Sequence, residues 1–412
     1  MNVVIIGAGQ AGLQVADSLR SEGFDGPITL VADEQGVPYQ RPPLSKDYLT
    51  PGKEPLPLPL RGEAFFTEKG IRLLSGVSVS AVDRTSRRVV LNDQQEVPYE
   101  HLVFATGARN RELGCPGAAL QGIHGLRTLS DAEHLNSALS QARNVVVIGA
   151  GFIGLEFAVA ARTHGCSVTV LEFAPRPMGR ALTPGMSEWF IGAHTALGVN
   201  LRLSEGIDRF ESDPEGHVMA AVSTTGQHYP ADLVVVGVGV LPNDALAAES
   251  GLETNNGILV DATLRTSDPR VLAVGDCANF PNIHTGAQTR LESVQNATDH
   301  GRHAARTILG GSDTYTALPW FWSTQGPYRL QMAGIAGTGD DTLVLGDQDA
   351  AKFSILCFRD GVMAAVESVN MPADHIAARK LLTAGARITR AQAESEGFSL
   401  KSAAASAGQL AA

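Results

Sequence analysis

Two stretches of this 412-residue chain repeat the same order of local features, and this repeat constrains the fold more than any other property. One runs from Val3 to Glu34 and the other from Val145 to Phe173. Each contains a β-branched run, a glycine-rich turn, a helical stretch, a break at glycine, a second apolar run and an acid. This order is typical of a βαβ unit, in which a helix connects two parallel strands.

The two glycine turns fit the pattern GxGxxG, with Gly7, Gly9 and Gly12 in the first and Gly149, Gly151 and Gly154 in the second. The first glycine of such a turn permits the sharp bend, the second lets the backbone approach a pyrophosphate, and the third lets the helix pack on the strand. The helix then offers unpaired N–H groups and its positive dipole end to phosphates. A lone GxGxxG is a weak signal. Here each copy follows a strand, opens a helix and precedes an acid by about 20 residues, which predicts two dinucleotide sites.

The acids at the ends of the two units are predicted to accept hydrogen bonds from ribose hydroxyls. In the first unit these are Asp33 and its neighbour Glu34, and in the second the acid is Glu172. A carboxylate repels the 2′-phosphate of NADP, so Glu172 favours NAD. Arg176 is close in sequence and weakens this argument.

Charge and cysteine content exclude several classes of protein. A net charge of -11 opposes nucleic-acid binding, because phosphate is repelled without a basic patch. The four cysteines are scattered without a CxxC pair, which fits a reducing cytoplasm. The chain enters a strand-like run at Val3 without a charged leader, and its apolar stretches are shorter than a membrane span, so we expect neither secretion nor membrane insertion. We expect no metal site.

Further along, the sequence predicts additional strands and then a C-terminal region with a different residue pattern. Apolar runs from Tyr99 to Gly107, Ala231 to Pro242 and Val271 to Cys277 are predicted strands, and Arg290 to Leu309 is a predicted helix. From Pro319 onward tryptophans and alternating apolar residues appear, followed by a helix from about Asp374. We therefore predict an α/β fold with two Rossmann-like dinucleotide-binding domains, the second inserted in the first, plus a C-terminal α+β domain.

Several shorter motifs accompany the glycine turns. They are Arg41–Lys46 (RPPLSK), Ala105–Gly107 (ATG), Gly237–Gly239 before Leu241–Asn243, Thr266–Pro269, Val274–Cys277, Glu292–Val294 (ESV) and Pro319–Trp322 (PWFW). With these motifs the chain resembles the NADH-dependent ferredoxin reductases of the putidaredoxin reductase type, flavoproteins of the glutathione-reductase superfamily that serve bacterial haem monooxygenases and ring-hydroxylating dioxygenases. The resemblance extends from about Asn2 to about Leu400, and the RPPLSK, ESV and PWFWS segments narrow it most.

The resemblance assigns the cofactors. It implies an FAD-binding domain at residues 1–110 and 243–316, an NAD-binding domain at 111–242, a C-terminal domain at 317–400 and a flexible tail at 401–412. The residues implied for FAD are Gly7, Gly9, Gly12, Asp33, Glu34, Arg41, Lys46, Val79, Ala105, Thr106, Gly107, Arg127, Asp276, Ser293, Val294 and Trp320. Those implied for NAD(H) are Gly149, Gly151, Phe152, Ile153, Gly154, Glu156, Glu172, Gly237, Val238 and Gly239.

The resemblance also implies catalytic roles for Lys46, Glu156 and Trp320. Lys46 is expected near the flavin N5, paired with Glu156, because a buried ammonium needs a partner. Trp320 and Trp322 are expected to face in different directions, one toward the flavin and the other toward the core. Trp320 is favoured as the one near the flavin, and plain packing is the simpler interpretation of Trp322. Exposed positions are the alternatives for Lys46 and Glu156.

Two more positions are implied to contact the flavin. Asp276 is expected to bind the ribityl chain, although an acid there could also simply cap a strand end. The helix that starts near Ser293 and Val294 is expected to point its N-terminus at the flavin pyrimidine edge. NADH is expected to bind between Glu172 and Glu156.

The segment after Tyr39, QRPPLSKDYL, contains no cysteine, whereas disulfide reductases of this superfamily carry a cysteine pair there and the peroxidase and oxidase branches carry one cysteine. Cys277 is expected to be a packed small residue. The expected function is therefore NADH:ferredoxin oxidoreduction, in which FAD takes a hydride at N5 and passes single electrons to a [2Fe–2S] ferredoxin, with an oxygenase served indirectly.

The alternatives are a rubredoxin reductase, an NADH oxidase-like flavoprotein and a signalling flavoprotein like apoptosis-inducing factor. Ferredoxins are usually acidic, so a basic docking face is expected. Arg290, Arg302 and Arg306 on one helix are the candidates.

Overall fold

The computed structural model describes residues 1–53 and 56–410. The strands, in chain order, are β1 (Val3–Ile6), β2 (Ile28–Ala32), β3 (Ile71–Ser75), β4 (Val79–Asp83), β5 (Arg88–Leu91), β6 (Glu96–Pro98), β7 (His101–Phe104), β8 (Ala108–Asn110), β9 (Ile123–Gly125), β10 (Asn144–Ile148), β11 (Ser167–Glu172), β12 (Val199–Leu203), β13 (Ile207–Ser212), β14 (Val218–Ser223), β15 (His228–Pro230), β16 (Leu233–Val236), β17 (Val240–Pro242), β18 (Ile258–Leu259), β19 (Val271–Ala273), β20 (Ala278–Asn282), β21 (Ala287–Thr289), β22 (Trp320–Gln325), β23 (Tyr328–Gly334), β24 (Asp341–Asp347), β25 (Lys352–Arg359) and β26 (Val362–Val369).

The α-helices are α1 (Gln10–Ser21), α2 (Glu63–Glu68), α3 (Leu129–Leu139), α4 (Phe152–Thr163), α5 (Pro184–Ala196), α6 (Ala245–Glu249), α7 (Val294–Ile308), α8 (Pro372–Thr383), α9 (Arg390–Ala393) and α10 (Leu400–Leu410). Short 3₁₀ helices form at Pro42–Ser45, Asp47–Leu49 and Gly275–Cys277. Among the described residues, no helix is both long enough and apolar enough to cross a membrane.

The chain forms two compact units, each built from three separate segments. The first unit contains Met1–Gln40, Pro57–Arg109 and Val240–Pro319, and the second contains Arg41–Leu56, Asn110–Gly239 and Trp320–Ala412. The segment Arg41–Leu56 belongs to the second unit, whereas the predicted boundaries placed residues 1–110 together. Hydrogen bonds attach this segment to the second unit, because Ser45 and Lys46 both donate to Glu156.

The first unit is centred on a parallel sheet with the strand order β19-β7-β1-β2-β3. Every residue of β1 and β2 is buried, as expected for strands covered on both faces. Helices α1 and α7 approach closely at Gly301, where a Cβ atom would lie 2.7 Å from Gln14 Cβ. Smaller sheets, β4-β5-β6 and β18-β20-β21, complete the unit.

The second unit repeats this parallel design and adds two antiparallel sheets. Its parallel sheet has the order β12-β11-β10-β16-β9, with Val145 of β10 opposite Val168 of β11. The strands β13, β14 and β15 form a small antiparallel sheet, and the C-terminal sheet has the order β22-β23-β26-β25-β24. The predicted α/β fold with two βαβ units and a C-terminal α+β region is therefore confirmed.

The segment at residues 401–412, predicted as a flexible tail, is helical over most of its length. Leu400–Leu410 is a helix, while Ala411 and Ala412 lie outside the described residues. Leu400 is buried in a core cluster with residues of α8, and the Ser399 hydroxyl accepts a hydrogen bond from the Ser402 N–H. An alanine-rich sequence has high helix propensity, and this apolar anchor fixes the helix in place.

Candidate functional site

The first glycine turn, between β1 and α1, has the shape that a dinucleotide requires. Gly7 has φ 105°, and a Cβ there would lie 2.2 Å from the Ala105 carbonyl oxygen. A Cβ at Gly12 would lie 1.9 Å from the Gly7 carbonyl oxygen, so both positions exclude side chains. Gly9 differs, because a Cβ there meets nothing within 4 Å. Gly9 is also the N-cap of α1 and supplies no side-chain cap, so the turn fits a pyrophosphate at the start of the helix.

The acids predicted for the first unit follow β2 directly. Asp33 is exposed and accepts from the Glu34 N–H at 3.0 Å. Glu34 is half-buried and accepts a hydrogen bond from the Tyr39 hydroxyl. Both carboxylates therefore stand at the carboxyl end of a strand, beside the strand that leads into the glycine turn.

The turn after β7 is fixed by a side-chain clamp. The Thr106 hydroxyl donates to the Asn243 carbonyl oxygen at 2.6 Å, and the Asn243 amide nitrogen donates to the Thr106 carbonyl oxygen at 2.9 Å. The Asn243 N–H donates to Gly107, which has φ 66°. The clamp holds the predicted Ala105–Gly107 motif against the Gly7 turn, so two sequence motifs form one structural element.

The Gly275–Asp276 turn lies at the end of β19, as predicted. Gly275 has φ 73°, and its N–H donates to the His300 Nδ1 at 3.2 Å. Asp276 is half-buried, and its carbonyl oxygen accepts from Arg290. Cys277 is fully buried, with its thiol directed at the Val274 and Phe104 carbonyl oxygens. Burial raises the pKa of this thiol, which agrees with the predicted packing role.

Ser293 and Val294 begin helix α7. Ser293 is the N-cap, and its hydroxyl accepts from the Asn296 N–H at 3.0 Å. The predicted helix start at Arg290 is wrong, because this cap places the first helical residue at Val294. Arg290 therefore does not share the helix with Arg302 and Arg306; its side chain is 8% exposed and pairs with Glu292 at 2.7 Å. Val79, predicted to contact FAD, is a half-buried residue of β4 opposite Leu91.

The second glycine turn reproduces the geometry of the first. Gly149 has φ 101°, and a Cβ there would lie 2.5 Å from the Gly237 carbonyl oxygen. A Cβ at Gly154 would lie 2.3 Å from the Gly149 carbonyl oxygen. At Gly151 the nearest atom would be 3.8 Å away, and α4 again begins without a side-chain cap. The second unit thus also fits a dinucleotide at a helix N-terminus.

Glu172 ends β11 beside this turn, and two backbone groups fix its carboxylate. The Ala150 N–H donates to it at 2.6 Å and the Ala174 N–H at 2.8 Å. Arg176 is directed elsewhere, since its guanidinium donates to the Leu182 and Gly179 carbonyl oxygens. Arg176 therefore does not pair with Glu172, and the argument that Glu172 favours NAD is strengthened.

The other residues predicted for NAD(H) surround the same turn. Gly237 donates its N–H to the Ile148 carbonyl oxygen, and Gly239 accepts from the Arg111 N–H, with Val238 between them. Phe152 packs on Phe321 with ring centroids 4.7 Å apart. The Ile153 side chain is 44% exposed at the first turn of α4.

Lys46 and Glu156 form the predicted ion pair, with Lys46 Nζ 2.6 Å from Glu156 Oε2. Glu156 is 4% exposed, so the exposed-position alternative is wrong for it. Three donors serve its carboxylate: the Lys46 ammonium, the Ser45 hydroxyl at 2.5 Å and the Ser323 hydroxyl at 2.6 Å. Lys46 also donates to the Pro42 carbonyl oxygen. Three donors therefore hold this buried carboxylate in one orientation.

The remaining residues predicted for FAD also lie in the second unit. Arg41 donates to the Arg127 carbonyl oxygen at 2.6 Å. The prediction that Trp320 and Trp322 face in different directions is wrong. Their rings lie 5.5 Å apart at 30°, because residues two apart in a strand point to the same face. The Arg379 guanidinium lies 4.1 Å from the centre of the Trp320 ring.

Sequence reasoning missed several polar residues around these positions. Glu156 accepts hydrogen bonds from Ser45 and Ser323. Gln325 bonds to Ser323, and His194 bonds to Gln325. His300 accepts a hydrogen bond from Gly275. One signal was available, since the apolar residues Trp320–Trp322 are followed on the same strand by the polar run Ser323–Gln325. The histidines gave no local signal.

Comparison with known proteins agrees with this geometry. Residues 1–301 match the model of a family described as pyridine nucleotide-disulphide oxidoreductase. The chain belongs to this family. Residues 320–404 also match the model described as reductase C-terminal.

Three relatives within the family illustrate the extent of the similarity. Rhodocoxin reductase of Rhodococcus erythropolis is 49% identical over 401 residues, covering 97% of this chain and 94% of that protein. The crystal structure of a ferredoxin reductase for the CYP199A2 system from Rhodopseudomonas palustris superposes with a TM-score of 0.95 at 44% identity, covering 98% of this chain and 99% of that one. The reductase in a covalent putidaredoxin reductase–putidaredoxin complex gives a TM-score of 0.93 at 35% identity, covering 99% of each chain.

Membership in the pyridine nucleotide-disulphide oxidoreductase family confirms that the chain is an oxidoreductase with FAD and NAD(H) as cofactors. The family description includes a disulphide, but all four cysteines of this member are free. Three of them are buried, and Cys115 is half-buried in the loop before β9. The assignment of individual residues to each cofactor remains a prediction.

Proposed function

We propose that this reductase transfers electrons from NADH, through FAD, to a [2Fe–2S] ferredoxin that supplies a bacterial oxygenase. The observation that carries the proposal is the Lys46–Glu156 pair at the end of the RPPLSK segment, where a charged pair stands and no cysteine is present. When bound, FAD accepts a hydride from NADH and releases electrons one at a time. Because this segment contains no thiol to receive the electrons, a separate iron–sulfur protein is proposed as their acceptor.

The first unit is proposed to bind FAD. The open position at Gly9 and the start of α1 would hold its pyrophosphate, and Asp33 with Glu34 would accept hydrogen bonds from its ribose. Asp276 would bind the ribityl chain from the Gly275 turn.

The second unit is proposed to bind NADH in the same manner. Gly151 and α4 would hold the pyrophosphate, and Glu172 would accept hydrogen bonds from the adenosine ribose. The backbone donors of Ala150 and Ala174 hold the Glu172 carboxylate in place. A 2′-phosphate would meet this negative charge, so NADH is proposed as the preferred donor.

Glu156 and Lys46 are proposed to position the nicotinamide and to supply a fixed positive charge. Glu156 holds the ammonium at 2.6 Å, and the Pro42 carbonyl oxygen holds it from another direction at 3.0 Å. The ammonium therefore has one location instead of the many open to a solvated lysine. A preorganised charge of this kind stabilises negative charge that develops nearby.

The partner is proposed from the relatives. The reductases of Rhodococcus erythropolis and of the putidaredoxin complex are named for rhodocoxin and putidaredoxin respectively. We infer a cytoplasmic location, which the four free cysteines support.

The test is electron transfer with purified components. The protein should bind FAD and appear yellow, and NADH should reduce cytochrome c rapidly only when a [2Fe–2S] ferredoxin is added. Equal rates without ferredoxin would indicate a plain NADH dehydrogenase or oxidase instead. A parallel assay with rubredoxin distinguishes the two iron–protein partners, since rubredoxin should support a lower rate.

A further inference from the structure

A line of buried polar side chains leads through the second unit to Glu156. It starts at His194 on α5, continues through Gln325 and Ser323 on β22, and ends at the carboxylate on α4. His194, Gln325 and Ser323 are 0% exposed, and Glu156 is 4% exposed. The successive distances are 2.6 Å from His194 Nε2 to Gln325 Oε1, 3.1 Å from Gln325 Nε2 to Ser323 Oγ, and 2.6 Å from Ser323 Oγ to Glu156 Oε1.

The chemistry of the groups fixes the direction of every hydrogen bond in this line. An amide oxygen only accepts, so His194 Nε2 carries the proton and donates to Gln325. The amide nitrogen of Gln325 only donates, so the Ser323 oxygen accepts from it. The Ser323 hydroxyl hydrogen is then directed at Glu156, because a carboxylate accepts. All three donors thus point the same way, toward the negative charge, and such chains strengthen by mutual polarisation.

The two oxygens of the Glu156 carboxylate are served from different parts of the chain. Oε1 accepts from Ser323 on β22, whereas Oε2 accepts from Ser45 and Lys46 of the RPPLSK segment. Rotation of the carboxylate would break both sets of bonds. Lys46 is the charged side chain in contact with Glu156, and His194 is the titratable group at the far end of the line. Burial lowers the pKa of His194, so it stays neutral.

We propose that Ser323 and Gln325 are positioning residues for the Lys46–Glu156 pair. They hold the Glu156 carboxylate in one orientation, and so hold the Lys46 ammonium where the proposed hydride transfer uses it. This inference rests on the proposed function for the role of the pair. The hydrogen bonds themselves predict a property of Glu156 that is measurable without NADH or ferredoxin.

The test is a pH titration of Glu156 in FAD-loaded protein labelled with [δ-¹³C]glutamate. The Glu156 resonance is assigned by its loss in Glu156→Gln. Ser323→Ala removes a hydrogen-bond donor to the carboxylate, so the midpoint of the Glu156 titration should rise above that of the wild-type protein. Ser323→Thr retains the hydroxyl and should restore the original midpoint. Gln325→Met removes the group that polarises Ser323 and should give a smaller rise.

Ser354→Ala is the matched control. Ser354 is also a fully buried serine of the C-terminal sheet, but its hydroxyl bonds to Ser368 and Asp374. This variant should leave the Glu156 midpoint unchanged. The proposal is overturned if Ser323→Ala behaves like Ser354→Ala, or if Ser323→Thr shifts the midpoint as far as alanine does. Gln325→Met decides the matter if Ser323→Ala does not fold, since an unshifted midpoint in that variant also overturns it.

The failure of this inference and the failure of the proposed function give different results. A shifted midpoint in a protein that cannot reduce ferredoxin would reject the proposed function and retain the positioning role. Normal ferredoxin reduction with unshifted midpoints would support the proposed function and reject the positioning role.

Discussion

At the scale of single residues, the backbone fixes the carboxylate of Glu172, the residue proposed to favour NADH over NADPH. Two N–H groups, from Ala150 and Ala174, hold both oxygens of its carboxylate. A carboxylate whose two oxygens each accept a backbone hydrogen bond is fixed in one orientation. Arg176, which could have offset the charge, donates to carbonyl oxygens of its own loop.

Glu172→Arg should therefore reverse the charge that meets a 2′-phosphate. We expect the ratio of kcat/KM for NADH to that for NADPH to fall by about tenfold or more, which corresponds to about 1.4 kcal/mol. Steady-state kinetics with both nucleotides measures this ratio. Glu215→Arg makes the same charge change at an exposed turn and serves as control. An unchanged ratio in Glu172→Arg would show that this side chain does not face the ribose.

His300 is a second residue whose role depends on one hydrogen bond. Its Nδ1 accepts from the buried Gly275 N–H, and its ring packs edge-on against Phe280 and Tyr315. Burial lowers the pKa of His300 to about 3, so the ring is neutral and its Nδ1 can accept.

His300→Phe keeps the aromatic packing but leaves the Gly275 N–H without its acceptor. We expect a loss of about 1–3 kcal/mol in the free energy of unfolding, measured by urea denaturation followed by circular dichroism. His375→Phe is the control, because neither ring nitrogen of this buried histidine has a partner in the described part of the chain. Equal stability of the two variants would contradict a supporting role for the His300 bond.

At the scale of elements, the parallel strands and the glycine turns could be predicted from sequence because their signals are local. A strand, a turn and a helix start within a few residues of each other, and the β-branched runs mark the strands directly. The start of α7 was predicted four residues early, since the Ser293 cap ends the preceding extended segment and helix periodicity alone cannot locate a cap.

The polar line to Glu156 could not be predicted in the same way. Ser323 and Glu156 are 167 positions apart, and Gln325 and His194 are 131 apart. Contacts at such separations depend on how β22 and α5 are arranged in three dimensions. The Lys46–Glu156 pair has a similar separation, and it was predicted only because the chain resembles a known family.

Helix α10 makes a prediction at the element scale. Leu400 is 1% exposed and packs in the same cluster as Ala378 and Leu381 of α8. Leu400→Ala should lower the free energy of unfolding by about 2–5 kcal/mol, because it opens a cavity in this core. Lys401→Ala, at the exposed next position, should change it by less than about 0.5 kcal/mol. Urea denaturation compares the two, and equal values would mean that α10 is not anchored by Leu400.

At the scale of the whole molecule, a buried carboxylate links stability to pH. Glu367 on β26 accepts from the N–H and the hydroxyl of Thr183, the N-cap of α5. Burial raises the pKa of Glu367 to about 7, although Thr183 and the charge of Arg176 act in the opposite direction. The folded chain therefore binds a proton at Glu367 that the unfolded chain has already lost above about pH 4.5.

Stability contributed at this position should fall as the pH rises from about 4.5 to about 7, and should stay low above that range. Glu367→Gln removes the titration. Between pH 5 and 8, wild-type protein should lose up to about 3 kcal/mol of unfolding free energy relative to this variant. Urea denaturation across that range measures the difference. Glu188→Gln, an exposed position on α5, should follow the wild-type curve, and parallel curves for all three proteins would contradict the assignment.

The composition of each unit from three chain segments has a consequence for biosynthesis. Strand β19 of the first parallel sheet, and helix α7 that packs on α1, both belong to the first unit. Both follow the second glycine turn by more than a hundred positions in the sequence. Ribosomes add about 5–20 residues per second, so the first nucleotide-binding unit stays incomplete for tens of seconds after its glycine turn has emerged. The second unit likewise remains incomplete until the segment from Trp320 onward has been synthesised. A nucleotide site completed this late in the chain can capture its cofactor only toward the end of translation or after it.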